Sequence, residues 1–233
     1  MNKRGVSEVI GYLLTFGIVV AVVAVIYASG MPVVEETKDK SAFQSMETSF
    51  MTLQNNIKKV AFGQSPLRTM KFNLIKGSVG ANDNAGNSIT VTTDEGIYPF
   101  QFGNIEYTIG TRKVVYELGA VIESTPGGSI IISDPPIFNS SGDVFISVMN
   151  VSGGFSAGGG MAEMHIGGES GGLYNVTRDT HVYNSSSPVT NLTISINSSP
   201  YTQAAWTRYL EEEFGTFPIS CNLTLVSHNV SIS

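Results

Sequence analysis

The chain opens with an apolar helix pattern that becomes amphipathic further along. Residues 9–28 are twenty consecutive residues without a charge, and a helix of that length spans about 30 Å, the thickness of a bilayer core. Over 33–62 the apolar positions recur every three or four residues, which places on one stripe Phe43, Met46, Phe50, Leu53, Ile57 and Val60. The pattern predicts an apolar helix over 6–30 and an amphipathic helix over 31–63, with Gly63 as its stop.

The sequence does not determine which surface the amphipathic stripe packs against. The stripe can pack on the chain's own β-rich domain, contact a neighbouring subunit, or form a coiled-coil seam, although about three heptads are borderline for the last. Pro32 lacks an N–H and is expected to kink the join between the two helices.

Beyond about Met70 the apolar period changes to two, which indicates β-strands. Eight short segments carry this pattern: MKFNLI (70–75), SITVTT (88–93), IEYTI (105–109), RKVVYEL (112–118), GSIIIS (128–133), DVFISVM (143–149), NLTISI (191–196) and CNLTLV (221–226). Turns are predicted at Asp94-Glu95-Gly96 and at Gly110-Thr111. We predict an α+β protein whose head, residues 64–233, is an antiparallel, sandwich-like β domain.

One late helix is predicted within the head, over 199–215. Ser199 can cap it, Pro200 suits the first helical position, and Gly215 can end it. A single face collects the apolar residues Trp206, Leu210 and Phe214, so this face is expected to enter the core.

Composition and charge exclude some functions. The 233 residues carry a net charge of −6 and few, scattered basic residues, so nucleic-acid binding is not expected. Cys221 is the one cysteine, so no disulfide can form within the chain, and we expect a buried, inert thiol.

The asparagines divide sharply along the chain. Eight of the sixteen precede residue 139, and none of them begins an Asn-x-Ser/Thr sequon. All eight later ones do: Asn139, Asn150, Asn175, Asn184, Asn191, Asn197, Asn222 and Asn229. In NLTISIN, alternation turns Leu192 inward and the asparagines at both ends outward. We therefore expect N-glycosylation on an exposed surface, with at least three sequons occupied.

The first residues indicate how the apolar run would be oriented in a membrane. Lys3 and Arg4 precede it, which favours a cytoplasmic N-terminus, and Glu35 and Glu36 then lie outside. A simple N-terminal membrane anchor is one interpretation of these facts.

A second interpretation comes from the leader. KRG followed by VSEVIG resembles the processing site of archaeal type IV pilin-like proteins, which carry class III signal peptides. The resemblance implies cleavage between Gly5 and Val6, with Lys3 and Arg4 in the leader peptide 1–5, by a prepilin peptidase. It also implies that the apolar helix is kept, and that the partners are the assembly machinery and copies of the chain or other pilins. Residues 54–75, 105–122 and 200–210 resemble a poorly characterised group of archaeal surface proteins with pilin-like N-termini, for which no activity is implied.

Glu8 is a lone carboxylate at the edge of the apolar run. An ionised carboxylate among apolar side chains is costly unless it is paired. Cleavage before Val6 would create an ammonium that could pair with Glu8 in the same or a neighbouring subunit. Bacterial pilins carry a glutamate at the fifth mature position, whereas Glu8 would be third, and Glu8 could instead reach the lipid headgroups.

No catalytic or metal site is expected. GGESGG (167–172) resembles the nucleophile segment of trypsin-like serine proteases, with Ser170 in that role, but no histidine lies far upstream as that family requires. The histidines lack metal-ligand spacing, and no cofactor is implied. The glycine-rich stretch 153–172 is interpreted as a loop.

These observations favour a structural subunit of an archaeal cell-surface, pilus-like filament, inserted in the membrane before assembly. The alternative is a minor pilin or anchored glycoprotein that does not polymerise and whose head binds a surface, sugar or protein.

Overall fold

The computed structural model describes residues 3–168, 180–184 and 188–233. The chain divides into two compact units, Met1–Ala42 and Phe43–Ser233, and we call the second the head unit. The division falls inside the segment predicted as the amphipathic helix, so the second half of that helix belongs to the head unit.

A single helix, α1, runs from Lys3 to Ala61, and Pro32 lies inside it. The helix ends in a Schellman motif: the N–H of Gly63 donates to the carbonyl of Val60 at 3.0 Å, and that of Gln64 donates to Lys59 at 2.8 Å. Gly63 has a φ of +74°, a conformation that glycine adopts without strain. The predicted stop is confirmed.

Eleven strands and one further helix follow within the described residues. The strands are β1 (Leu67–Thr92), β2 (Ile97–Ile109), β3 (Arg112–Glu117), β4 (Ala120–Thr125), β5 (Gly128–Ser133), β6 (Ile137–Ser140), β7 (Asp143–Gly153), β8 (Phe155–Gly168), β9 (Thr180–Asn184), β10 (Val189–Asn197) and β11 (Ile219–Ile232). The helix α2 (Gln203–Phe214) lies between β10 and β11. The α+β class, with a sheet-rich head and one late helix, is confirmed.

The strands pair in the order β5-β4-β3-β2-β1-β10-β11-β7-β6. Among the described strand pairs, β7 with β11 is the one parallel pair, a departure from the antiparallel prediction. The long strands β1 and β11 each change partner along their length. Because β8 pairs with both of them and β10 also pairs with both, these four strands form a closed circuit of hydrogen-bonded pairs.

The stripe of α1 is buried in the head unit. All six predicted residues are at most 2% exposed: Phe43, Met46, Phe50, Leu53, Ile57 and Val60. The ring of Phe43 lies 6.4 Å from that of Tyr107 on β2, and the ring of Phe50 lies 6.1 Å from that of Phe72 on β1. The stripe therefore packs on the chain's own sheet, which is the first of the three interpretations.

A buried glutamine also fixes α1 to the sheet. Gln54 is 3% exposed, and its amide nitrogen donates to the carbonyls of Gly119 at 2.6 Å and Asp134 at 3.0 Å. Its amide oxygen accepts the hydroxyl of Ser133 at 2.7 Å. A buried amide with its polar atoms bonded costs little and fixes the register of the helix on the sheet.

The helix α2 begins later than predicted. It starts at Gln203 with Thr202 as its N-cap, so the prediction of Ser199 as cap and Pro200 as first residue was wrong. The carbonyl of Ser199 accepts the N–H groups of Thr202 and Gln203, which forms a separate turn before the helix. Gly215 ends the helix, and the core face is buried as predicted: Trp206, Leu210 and Phe214.

The glycine-rich stretch is a strand where the sequence predicted a loop. Residues 155–168 form β8, which pairs with β1 along most of its length. Gly159 and Gly160 have φ of +75° and +78°, and beside them residues 75–77 of β1 lie opposite Gly159 alone. Gly77 in this bulge of β1 also has a positive φ, of +84°, a conformation that glycine adopts without strain. Residues 169–172 lie outside the described part of the chain.

Candidate functional site

The apolar stretch of α1 lies in the first unit. Its side chains are exposed, with Val9 at 59%, Val19 at 53% and Tyr27 at 67%. The helix is long and apolar enough to cross a membrane. Since a large aliphatic side chain gains about 1.5–3 kcal/mol on leaving water, this surface requires lipid or protein around it. An N-terminal helix of this kind indicates a membrane anchor or a signal sequence.

The residues of the predicted processing site begin this helix. Lys3, Arg4, Gly5, Val6 and Glu8 all lie within the backbone of α1. Their side chains lie outside the described part of the structure, so the pairing of Glu8 stays a prediction.

Four of the eight sequon asparagines are exposed on the head unit: Asn139, Asn191, Asn197 and Asn222. The predicted alternation along β10 is confirmed, because Leu192, Ile194 and Ile196 are buried and the two flanking asparagines are exposed. Asn175 lies outside the described residues, and Asn184 is described only as the backbone of β9.

The remaining two sequon asparagines form a pair. Asn150 on β7 and Asn229 on β11 are half-buried and lie opposite each other in the parallel register. The amide nitrogen of Asn150 donates to Asn229 Oδ1 at 3.1 Å, and Asn150 Oδ1 accepts the N–H of Gly103 at 3.0 Å. N-glycans are attached through the amide nitrogen, and in Asn150 this atom is already used within the sheet.

The other residues considered for chemistry are dispersed. Cys221 is buried as predicted, and burial raises the pKa of its thiol. His165 contacts the hydroxyl of Thr69 at 3.2 Å. Ser170 lies outside the described residues. Within residues 3–168, 180–184 and 188–233, no three His, Cys, Asp or Glu side chains come together as a metal site.

The structure contains a buried glutamate that the sequence pattern did not predict. Glu117, the last residue of β3, is 0% exposed, and one of its oxygens accepts the indole N–H of Trp206. Burial raises the pKa of Glu117 to about 7, against the opposing effect of the hydrogen bond from Trp206. The RKVVYEL pattern does not predict that Glu117 is buried, because a hydrophobic residue would normally fill this inward position.

The fold and these features define an α+β protein with an N-terminal helix able to cross a membrane and a sheet-rich head unit. The chain belongs to a family of unknown function, DUF7289, whose model matches residues 4–221. An uncharacterized protein of Archaeoglobus fulgidus is 26% identical over 183 residues, covering 68% of this chain and 69% of the relative. A second uncharacterized protein of that organism is 36% identical over 77 residues, which is 33% of this chain and 25% of the relative. No solved structure matches the chain.

Glu117 should make stability depend on pH. A raised pKa in the folded state means that the folded chain holds a proton the unfolded chain has lost, so stability is complete below about pH 4.5 and falls as pH rises towards about 7. We expect a loss of up to about 1.4 kcal/mol per pH unit in that window. Glu117→Gln should remove this slope and stabilise the chain at pH 8 by roughly 2–3 kcal/mol.

Urea unfolding of the detergent-solubilised chain between pH 4 and 8 measures this effect. The matched control is Glu212→Gln, which changes an exposed glutamate on α2 and should keep the wild-type slope. An unchanged slope in Glu117→Gln would show that the buried carboxyl does not titrate in this window.

Glycosylation should follow exposure. We expect at least three of the eight sequons to be occupied in the native protein, with the exposed asparagines more occupied than Asn150 and Asn229. Glycopeptide mass spectrometry with and without deglycosylation measures the occupancy of each site. Full occupancy of Asn150 beside empty exposed sites, or an absence of glycans throughout, would contradict this prediction.

Proposed function

We propose that this chain is a structural subunit of an archaeal cell-surface, type IV pilus-like filament. The observation that carries the proposal is the uncharged run 9–28, with its exposed side chains, directly behind KRGVSE. A surface of this kind is stable in lipid before assembly and against copies of itself afterwards. Both environments exclude water, so a single helix can serve as a temporary anchor and then as a filament core.

The proposed mechanism has three steps. A prepilin peptidase cuts between Gly5 and Val6 on the cytoplasmic side and leaves the apolar helix at the new N-terminus. An assembly ATPase drives the helices out of the membrane and into a bundle. The glycosylated heads then coat the outside of the filament.

Small residues on the helix support close packing between copies. Among the described residues, no other side chain lies within 4 Å of the position where Gly11, Gly17 or Gly30 would carry a Cβ. Gly17, Ala21, Ala24 and Ala28 recur at spacings of four, three and four, so they share one face of the helix. Small residues on one face let neighbouring helices approach closely.

Glu8 is proposed to pair with the ammonium of Val6 after cleavage. In a helix bundle without water, an unpaired carboxylate would be costly, and the new N-terminus supplies the nearest fixed positive charge. The pair would be made within one subunit or between neighbours.

A non-polymerising, membrane-anchored protein with a binding head is the second candidate. It is favoured by a polar cleft in the head unit, lined by side chains of several strands, because a subunit that serves only as a building block has no need of such a cleft. This candidate predicts the same N-terminal helix but no bundle of copies.

Cross-linking separates the two candidates. In a Cys221→Ser background, the double change Leu14→Cys and Ala24→Cys places two thiols in the apolar run. They lie about 15 Å apart along the helix, too far for one short bismaleimide to join them within a chain. Treatment of the sheared surface fraction with a short bismaleimide should give a ladder of dimers, trimers and higher multimers, because neighbouring helices lie side by side in a bundle and each chain can be joined to two neighbours through its two thiols. Monomers alone, or an empty sheared fraction, would contradict the filament and favour the anchored protein.

Two controls keep the result specific. The Cys221→Ser chain without the two new thiols should give no ladder. Adding Gly5→Val to the Leu14→Cys and Ala24→Cys chain should block cleavage and leave the chain in the membrane, so a ladder that persists in this variant would reflect crowding in lipid instead of assembly.

The same assay tests Glu8. Glu8→Gln keeps the size of the side chain but removes its charge, so it should shorten or abolish the ladder while the chain remains in the membrane. Glu8→Asp, which retains the charge, is the matched control and should restore part of the ladder. Unchanged processing and an unchanged ladder in Glu8→Gln would show that assembly does not need a pair between Glu8 and the Val6 ammonium.

A further inference from the structure

The head unit contains a polar cleft of about 290 Å³. It lies over three neighbouring strands, β8, β1 and β2, beside the turn that precedes α2. Its lining is Gly80, Ala81, Asn82, Asn104, Glu106, Phe155, Ser156, Ser199 and Tyr201. The volume is at the lower end of ligand pockets, which start at about 300 Å³, and therefore suits a single ring.

Strand register brings the polar groups of the cleft together. Gly80 on β1 lies between Ser156 on β8 and Glu106 on β2. Two residues further along β1, Asn82 is opposite Asn104 on β2. Residues two apart on a strand share a face, so these two rows lie on the same side of the sheet. Gly80 has no side chain and leaves the middle of this floor open.

Glu106 is fixed in position by two partners. Both of its oxygens accept Lys113 Nζ at 3.1 Å, and Oε2 also accepts the hydroxyl of Tyr201 at 2.7 Å. The ammonium of Lys113 also lies 4.4 Å from the centre of the Tyr201 ring. A carboxylate has about four acceptor positions, so Glu106 can still accept one hydrogen bond from a ligand.

The charges of the cleft disfavour an ionic ligand. An anion would meet the carboxylate of Glu106, and the nearby cation, Lys113, is already paired with that carboxylate. A cation would have to compete with Lys113 for Glu106. Most of the remaining lining consists of amides and hydroxyls, namely Asn82, Asn104, Ser156, Ser199 and Tyr201, which donate and accept hydrogen bonds without charge.

We propose that this cleft binds one ring of a neutral saccharide. Amide and hydroxyl groups can satisfy several sugar hydroxyls at once, and a small number of polar groups placed in a cleft fix the orientation of a ligand. Phe155 forms part of the wall and is half-buried, with its ring 6.4 Å from that of Phe72. Its carbon surface can pack against the C–H face of a sugar ring. This site does not depend on whether the chain polymerises.

The probe set is the methyl glycosides of glucose, galactose, mannose and N-acetylglucosamine, with glucuronic acid and glucosamine as charged counterparts. Saturation-transfer NMR on the detergent-solubilised full chain should detect at least one neutral glycoside, whose contact then serves as the readout in the variants. The charged analogue of the glycoside that binds should bind more weakly, because the paired Glu106–Lys113 charges offer no free counter-ion.

Two variants locate the binding in the cleft. Gly80→Val fills the floor, and the new Cβ meets only the carbonyl of Phe155, at 3.6 Å, an ordinary contact. Tyr201→Phe keeps the ring and removes one hydroxyl. We expect at least tenfold weaker binding for Gly80→Val and a smaller loss for Tyr201→Phe.

There are two matched controls. Gly167→Val changes a strand glycine whose added Cβ also meets only ordinary contacts, at 3.5 Å and 3.7 Å. Asn73→Ala removes an exposed amide on β1 outside the cleft. Both should bind like the wild type, and circular dichroism confirms that every variant folds. Failure of all four neutral glycosides to bind, preferential binding of glucuronic acid or glucosamine, or unchanged binding in folded Gly80→Val would overturn the proposal. None of these outcomes bears on the cross-linking ladder.

Discussion

One physical constraint governs this molecule: the apolar side chains of α1 have to be kept from water along the whole helix. Within the head unit the chain meets that constraint itself, since Phe50 and Leu53 are fully buried against its sheet. Between residues 9 and 34 it does not, because those side chains are exposed. Covering each large aliphatic side chain stabilises the molecule by roughly 1.5–3 kcal/mol relative to leaving it in water. The first unit has no cover of its own for this stretch, and the proposed function follows from asking what supplies that cover.

The head unit combines a conventional apolar core with a few buried polar groups that are each held in place. Gln54 fixes the register of α1 on the sheet through three hydrogen bonds. Glu117 accepts the indole of Trp206 and so joins β3 to α2. Both groups lie where a shift of one element would leave a polar atom unpaired, so they favour one arrangement of helix and sheet over its alternatives. The proposed saccharide cleft is bordered by the turn that leads into α2, and its geometry depends on the same arrangement.

Periodic features of the sequence were enough to predict much of the fold. The spacing of Phe43 to Val60 and the alternation of Leu192, Ile194 and Ile196 correctly marked buried faces, because side-chain period follows directly from backbone geometry. β8 was missed because glycines have no side chains to alternate. Glu117 and the cleft were missed because they depend on strand register, which brings Asn82 and Asn104 together from separate segments. The start of α2 at Gln203 was missed because Ser199 uses its carbonyl in a turn instead of its hydroxyl in a cap.

In a filament subunit of this kind, the apolar helix is retained after cleavage and becomes the inside of an assembly. The decisive measurement is mass spectrometry of the N-terminal peptide, on native protein from the sheared surface fraction and from membranes. We expect a mature chain that begins at Val6 in the sheared fraction. A chain that begins at Met1, or one cut beyond Ala28, would contradict it and leave an ordinary anchored or secreted protein.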